Sequence, residues 1–258
     1  MLGTFFQRLV GLGGFALVDK KQYQRLRRLE NYKPSDSTFN EHLKQLFKRL
    51  EVTCVLDVGA NDGAYAESLR HEVGYQGWIH SFEPLPKQLE VLRSKAAKDP
   101  RWVIHPYALG AESGAADFHV MSSDVFSSFL TPDPNQPVKY ADSNRVSQTL
   151  SVTIRTIAEV LPDILAQHGA GPVYLKMDTQ GYDLQVFAGA QFALPHIVAL
   201  QSELAFNNIY AQAPGWQEMV RAFGEGGFRP SFLLPISFDS GLGILEADGI
   251  FVRAATLQ

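Results

Sequence analysis

The run Val-Leu-Asp-Val-Gly-Ala-Asn-Asp-Gly, Val55–Gly63, constrains the fold of this chain more than any other stretch. It starts within an apolar segment, residues 53–58, which predicts a buried strand. The strand pattern breaks at Gly59, and a helical pattern follows over residues 62–73. Gly59 and Gly63 allow a tight turn and a close approach of the backbone to a ligand. The run therefore predicts a strand, a glycine-containing turn and a helix in succession.

Two acidic residues indicate which ligand this turn would bind. Asp57 lies near the end of the first strand, and Glu83 directly follows a second apolar strand, residues 78–82. The spacing Asp-x-Gly-x-x-x-Gly differs from the Gly-x-Gly-x-x-Gly of dinucleotide sites. A carboxylate beside a pyrophosphate is unfavourable, whereas the ammonium and sulfonium of S-adenosylmethionine would be attracted to it. Glu83 is expected to accept hydrogen bonds from the ribose hydroxyls; the alternative is a tight turn that binds no ligand.

Composition limits the domain count and the compartment. A chain of 258 residues fits one large domain, or one domain with an extension. Its single cysteine, Cys54, lies in the first predicted strand, so we expect a small buried side chain there. One cysteine cannot form an internal disulfide, which fits a reducing compartment and predicts a cytoplasmic protein.

The first fifty residues differ from the rest in charge. They carry a net charge of +6, whereas residues 51–258 carry −10. The acidic body argues against a nucleic-acid groove. The apolar run of residues 9–18 is too short to span a bilayer, and no cleavage site for a signal peptide follows it. Residues 1–50 are therefore predicted to form a helical extension, either packed on the domain or docking to a membrane surface or a protein partner.

Strand and helix patterns alternate through much of the remaining chain. This alternation predicts an α/β fold, a mostly parallel sheet covered by helices on both faces. It stops at about residues 110–155, where an inserted hairpin and a substrate-covering loop are expected. The last two strands lack an intervening helix and are predicted to pair as an antiparallel hairpin. The predicted helices are 39–50, 62–73, 86–98, 157–168, 183–188 and 216–224, and the predicted strands are 53–58, 78–83, 102–108, 116–121, 150–154, 173–177, 197–202, 229–234 and 249–252.

A second dense cluster, Val173–Asp183, ends another predicted strand. Ligands bind at the carboxyl edge of such a sheet, so Asp178 is expected across the crevice from the glycine turn, with Glu203 on the next strand as its neighbour. Methyl transfer to a hydroxyl needs alignment, exclusion of water and a proton acceptor. We predict Asp178 as that acceptor and Lys176 as the group that orients the substrate or holds Asp178. The prediction includes no metal; the alternative is a divalent cation bound by Asp178, Asp183 and Glu203.

At these residues the sequence resembles the FkbM-type methyltransferase family, S-adenosylmethionine-dependent enzymes of the class I methyltransferases. The resemblance runs from about Val52 to Arg253. The motifs that carry it are Val55–Gly63, Phe82–Pro84, Ala108–Gly110, Ser127–Ser128, Leu175–Asp183, Gly189–Ala190, Ser202–Glu203 and Asp248–Arg253. Two positions depart from the family pattern: Gln180 stands where many members have Glu, and Ala158 where Asp is common.

The resemblance implies a three-layer, Rossmann-like domain over residues 51–258, with a seven-stranded, mostly parallel sheet whose last strand is antiparallel. It places S-adenosylmethionine as the cofactor and adenine near Ala108–Leu109. Together with the residue-level reasoning, it gives two sets of candidate site residues. The catalytic candidates are Asp178, Lys176 and Glu203, and the cofactor-binding candidates are Asp57, Gly59, Ala60, Asn61, Gly63, Glu83, Pro84, Ala108 and Leu109.

The predicted activity is O-methylation of a hydroxyl on a sugar, a glycan or a natural-product small molecule. Two alternatives remain open at this point. One is an NAD(P)-dependent oxidoreductase on a similar sheet, which the missing Gly-x-Gly-x-x-Gly disfavours. The other is a cofactor-binding module without chemistry. The sequence leaves the acceptor and the oligomeric state open.

Overall fold

The computed structural model describes residues 34–169 and 171–254. The predictions for the basic segment before residue 34 lie outside the described residues. The chain divides between Glu41 and His42, and the unit that begins at His42 contains the sheet and the site described below. In the described ranges, no helix combines the length and the apolar character needed to cross a bilayer.

The order of elements alternates between strand and helix, as the sequence predicts. The helices are α1 (Pro34–Arg49), α2 (Ala64–Ser68), α3 (Pro86–Ala96), α4 (Ile157–His168), α5 (Asp183–Ala188) and α6 (Trp216–Glu225). The strands are β1 (Cys54–Val58), β2 (Trp78–Phe82), β3 (Trp102–His105), β4 (Ala108–Leu109), β5 (Gly114–Met121), β6 (Val146–Arg155), β7 (Val173–Met177), β8 (Ile197–Ala205), β9 (Phe228–Phe238) and β10 (Ile244–Arg253).

The main sheet has seven strands in the order β3-β2-β1-β7-β8-β10-β9. Its strands pair in parallel, except that β10 is antiparallel to both β8 and β9. The predicted fold class, a mostly parallel seven-stranded α/β sheet with an antiparallel last strand, is confirmed. The final two strands do form a hairpin, and β10 inserts between β8 and β9 so that β9 is the edge strand.

The central strands are buried on both faces. Every residue of β1 and of β7 is buried, including Cys54 as predicted. Leu175 belongs to an apolar core that also contains Leu161 of α4. Because side chains alternate across a strand, Tyr174 faces the other side, where its ring contacts Phe47 of α1 with centroids 4.8 Å apart. Helices therefore cover both faces of the sheet, which explains why its central strands read as continuous apolar runs.

The predicted strand over residues 102–108 is wrong as a single element. β3 ends at His105, and Ala108–Leu109 form the separate strand β4 in a second sheet of order β4-β6-β5. Pro106 lies at the break, where it has no N–H to continue the ladder. In the region of the predicted insertion, β5 and β6 pair antiparallel over most of their length.

The predicted helix over residues 62–73 is shorter and less regular than expected. α2 ends at Ser68 and continues as a π-helical turn, Leu69–Val73, which stops at Gly74. Gly74 has a φ of 77°, the left-handed conformation that commonly ends a helix.

Gly59 brings the turns after β1 and β7 into backbone contact. Its φ is +76°, and a Cβ atom there would lie 2.0 Å from the carbonyl oxygen of Asp178. The Asp178 N–H in turn donates to the carbonyl oxygen of Val58 at 3.1 Å. The turn of the first sequence motif therefore rests directly on the turn of the second, and only glycine fits between them.

We expect Gly59→Ala to lower the free energy of unfolding by more than about 2 kcal/mol, because it combines a left-handed backbone with a steric clash. Gly74→Ala is the matched control: Gly74 has φ +77°, but a Cβ atom there meets nothing within 4 Å. Urea unfolding of both variants separates the conformational cost from the clash. Equal losses in the two variants would contradict the close approach of the turns.

Candidate functional site

A cavity lies at the carboxyl edge of the sheet, where the turns after β1, β2 and β7 meet. The space between its lining residues, including the open mouth, is about 780 Å³. Its lining residues are Val58, Gly59, Asn61, Phe82, Glu83, Pro84, Leu85, Gln88, Ala108, Leu109, Phe118, Asp124, Val125, Ser127, Phe129, Asp178, Thr179 and Gln180.

Glu83 is a buried carboxylate in the wall of this cavity, 5% exposed. One oxygen accepts a hydrogen bond from the Asn61 N–H at 2.9 Å and the other from the Leu85 N–H at 2.9 Å. Burial raises the pKa of Glu83 to about 7, although both backbone N–H groups oppose the shift. Each carboxylate oxygen retains a lone pair, so Glu83 can still accept hydrogen bonds from a ligand.

Lys176 lies beneath the two turns, between two carboxylates. Its Nζ is 3.2 Å from Asp57 Oδ1, 3.4 Å from Asp178 Oδ2 and 3.4 Å from the carbonyl oxygen of Gly59. Asp57 is fully buried, and its other oxygen accepts a hydrogen bond from Ser81 Oγ at 3.0 Å. Asp57 Oδ1 accepts no aligned hydrogen bond, so its contact with Lys176 is an ion pair. Burial lowers the pKa of Lys176, but Asp178 and Asp57 outweigh burial and raise it overall, which keeps the ammonium charged.

Asp183 stabilises the turn that follows β7. One carboxylate oxygen accepts hydrogen bonds from the N–H and the hydroxyl of Thr179, at 2.8 and 2.5 Å, and the other accepts from Ser202 Oγ at 2.5 Å. The residue is 2% exposed. These contacts join the turn to β8, and Asp183 is not among the residues that line the cavity.

Glu203 lies on β8 beside a second, smaller cavity. That cavity shares Gln180 with the first and is lined by Gln180, Gly181, Glu203, Ala205, Asn207, Asn208, Ile209, Tyr210, Ala213, Pro214, Met219 and Glu246. Burial raises the pKa of Glu203 well above its usual value, and the nearby charge of Asp178 raises it further. Glu203 and Glu246 both line this cavity, so carboxyl groups cluster on this side of the carboxyl edge.

The segment after β5 covers the cavity from above. Ser128 Oγ donates to the carbonyl oxygen of Gln180 at 2.8 Å. The Phe129 ring packs against Tyr182, with ring centroids 4.6 Å apart. Tyr210 donates to the carbonyl oxygen of Phe126 at 2.7 Å. The inserted sheet and its loop thus contact the turn after β7, and the substrate-covering role of this region stays a prediction.

The structure brings most of the predicted site residues to one place. Those that line the cavity are Gly59, Asn61, Glu83, Pro84, Ala108, Leu109 and Asp178. Asp57 and Lys176 form the buried layer beneath the turns, and Glu203 lines the neighbouring cavity. Ala60 is buried within the turn. Gly63 faces α3 and β3, since a Cβ atom there would lie 2.8 Å from atoms of Leu92 and of Trp102.

The sequence analysis does not predict several of the residues that line the cavity. Phe118 and Phe129 form an aromatic wall with centroids 4.8 Å apart, and Gln88 reaches the cavity from α3. The alternating pattern of residues 116–121 predicts the strand that carries Phe118. It does not predict which face of that strand meets the cavity.

The residues that line the cavity fit S-adenosylmethionine. Glu83 supplies acceptors for ribose hydroxyls, and Phe82, Leu85, Leu109 and Phe118 supply an apolar wall for an aromatic base. In the described ranges 34–169 and 171–254, no group of three or more His, Cys, Asp or Glu side chains is arranged to hold a metal ion.

One family model and several solved structures are similar to this chain. The model of the family described as "Methyltransferase FkbM domain" matches residues 57–230. Among solved structures, methyltransferase FkbM from Methylobacillus flagellatus KT aligns with a TM-score of 0.47 and 13% identity, over 78% of this chain and 44% of that one. This chain therefore spans less than half the length of that protein. A search of curated proteins found no match.

Two further solved structures are complexes with S-adenosylmethionine. Magnesium protoporphyrin IX methyltransferase from Synechocystis PCC 6803 aligns with a TM-score of 0.46 and 11% identity, over 93% of this chain and 99% of that one. Fibrillarin from Aeropyrum pernix aligns with a TM-score of 0.40 and 10% identity, over 78% and 66%.

The match to the family model includes the glycine turn, Glu83 and the cluster around Asp178, and it spans about two thirds of the chain. It confirms the predicted family and, with it, S-adenosylmethionine as the cofactor of the domain. The chain belongs to the FkbM methyltransferase domain family.

Proposed function

We propose that this protein is an O-methyltransferase that uses S-adenosylmethionine to methylate a hydroxyl group of a sugar, a glycan or a natural-product small molecule. The observation that carries the proposal is the position of Asp178. This residue lines the same cavity as Glu83, its side chain is 41% exposed, and Lys176 contacts it. The family match supports methyl transfer over hydride transfer, the alternative suggested by the sequence.

On the donor side, Glu83 and the backbone around Asn61 would hold the ribose, and Ala108 and Leu109 would face the adenine. When bound, S-adenosylmethionine supplies an electrophilic methyl group on a sulfonium. The buried pair of Asp57 and Lys176 supports the turn from beneath, since Lys176 Nζ also contacts the carbonyl oxygen of Gly59. Asp57 therefore acts on the donor side through the turn that it stabilises.

On the acceptor side, Asp178 would accept the proton of the attacked hydroxyl. Its two oxygens contact Lys176 Nζ at 3.4 Å and Gln180 Nε2 at 3.1 Å, so an ammonium and an amide N–H fix the position of the carboxyl group. Lys176 is the positioning group, because the flanking carboxylates keep it protonated. A positioned carboxylate of this kind accelerates proton transfer by roughly a hundredfold to ten-thousandfold.

Polar side chains line the small cavity beside Glu203. Glu203 and Glu246 offer hydrogen-bond acceptors, and Asn207 and Asn208 offer both donors and acceptors. The acidic surroundings disfavour a polyanionic acceptor. A neutral or cationic sugar, or a small alcohol, fits this environment best.

The test is a methyl-acceptor screen. The protein is incubated with S-adenosylmethionine and a panel of glycans and polyketide-like alcohols, and products are detected by mass spectrometry as the addition of one methyl group to oxygen. We expect Asp178→Asn to bind S-adenosylhomocysteine as the wild type does and to lower turnover by about a hundredfold to ten-thousandfold. Calorimetry measures the binding.

Full turnover by Asp178→Asn would contradict the assignment of the proton acceptor. Methylation of nitrogen or carbon instead of oxygen would contradict the proposed reaction. Asp163→Asn, on α4, is the control for replacing a carboxyl group by an amide, and we expect it to leave turnover unchanged.

The affinity for S-adenosylhomocysteine should depend on pH through Glu83. Burial raises the pKa of Glu83 to about 7 in the free protein, and ribose hydroxyls bind best to its ionised form. Lowering the pH from 8 to 6 reduces the ionised fraction, so the dissociation constant should rise about tenfold. Calorimetric titrations across this range measure the effect.

Glu83→Gln is the comparison for that prediction. The variant also places an amide against the backbone N–H groups of Asn61 and Leu85, so we expect weaker binding at every pH. The decisive quantity is the slope of the logarithm of the dissociation constant against pH, which should be close to zero in Glu83→Gln. An equal slope in both proteins would show that Glu83 does not control binding.

A further inference from the structure

We propose that Gln180 is a positioning residue for Asp178, with its side-chain amide holding the Asp178 carboxylate in place beside Glu203. The proposal rests on the proposed function, because the orientation of Asp178 matters to the reaction only if Asp178 accepts the proton.

The contacts of the Gln180 amide are divided between its two ends. Nε2 donates to Asp178 Oδ1 at 3.1 Å and to Glu203 Oε2 at 3.3 Å. Oε1 accepts a hydrogen bond from the Tyr210 hydroxyl at 2.9 Å. An amide nitrogen has two hydrogens, so each carboxyl group receives one N–H. The neutral amide thus links two acidic side chains on adjacent strands without adding charge.

The charge around Gln180 makes this neutrality important. Burial and Asp178 both raise the pKa of Glu203, which shows how closely the two carboxyl groups interact. A carboxylate at position 180 would stand next to both of them, and like charges at such distances disfavour ionisation. Charged and titratable groups from several elements surround Asp178. They are Lys176 on β7, Asp183 on α5, Glu203 on β8, Tyr210 in the following loop, and Glu246 and Asp248 on β10.

The backbone of Gln180 adds a second, independent observation. Its φ is +54°, a left-handed conformation that is unusual for a residue other than glycine. Ser128 Oγ donates to its carbonyl oxygen at 2.8 Å, and the single hydroxyl hydrogen of Tyr210 is shared between Gln180 Oε1 at 2.9 Å and the carbonyl oxygen of Phe126 at 2.7 Å. The covering segment therefore holds Gln180 in a strained conformation next to Asp178. Strain of this kind persists where surrounding contacts require it, and functional sites are where it is commonly found.

The test measures the Asp178 carboxyl group directly and needs no acceptor. The ¹³C signals of labelled aspartate carboxyl groups are followed against pH in the wild type, Gln180→Met and Gln180→Glu, and Asp178→Asn identifies the signal of interest. Gln180→Met removes the N–H donor at similar volume and should move the midpoint of that signal to higher pH. Gln180→Glu should move it further, by about one pH unit or more. The control is Gln185→Glu, the same change at an exposed position of α5, which should leave the midpoint unchanged.

Unchanged midpoints in both Gln180 variants would overturn the proposal. A shift in Gln180→Glu without one in Gln180→Met would also overturn it, because added charge alone would then explain the result. Failure of the proposed function has a separate signature: full turnover by Asp178→Asn, or no binding of S-adenosylhomocysteine by the wild type. Those two results are obtained independently of the Asp178 midpoints in the wild type and the Gln180 variants, so the two failures can be told apart.

Discussion

The site depends on the contact between two turns at the centre of the sheet. β1 and β7 are adjacent and parallel, so the turns that follow them leave the sheet side by side. The absence of a side chain at Gly59 lets these turns approach to backbone contact, and the buried ammonium of Lys176 lies beneath both. Removing one member of a buried ion pair commonly costs about 3–5 kcal/mol, because the other charge is left without a partner. The same contact thus supports the fold and sets the separation between the donor side and Asp178.

This arrangement influences which titratable groups of the site are charged near neutral pH. Lys176 remains protonated between Asp57 and Asp178 and cannot serve as a base, whereas the Asp178 carboxyl group is partly exposed at the cavity. Burial raises the pKa of Asp248 to about 6 and that of Glu203 well above its usual value. The acidic side of the site therefore carries less negative charge near neutral pH than its composition suggests, which would let a neutral hydroxyl compound approach Asp178.

Much of the fold could be predicted because local patterns agree with the tertiary structure. The bounds of β7, α4 and α5 follow from apolar runs that end at glycine or at polar residues. The split between β3 and β4 was missed, since apolar residues flank Pro106 on both sides and only the second sheet reveals where Ala108 pairs. The sequence predicts which strand ends carry the site residues. It does not predict where the side chains of those residues point. β1 is buried throughout, so no alternation shows that Asp57 points beneath the turn. The contacts of Gln180 come from residues 128, 203 and 210, which no local pattern connects to it.

A crystal structure of the complex with S-adenosylhomocysteine tests the central claim most directly, because it locates both sides of the site at once. The account predicts that the ribose hydroxyls lie within hydrogen-bonding distance of the Glu83 carboxylate, about 2.6–3.2 Å. It also predicts that the sulfur faces the space in front of Asp178. A ligand bound elsewhere, or bound with its sulfur turned away from Asp178, would contradict the account.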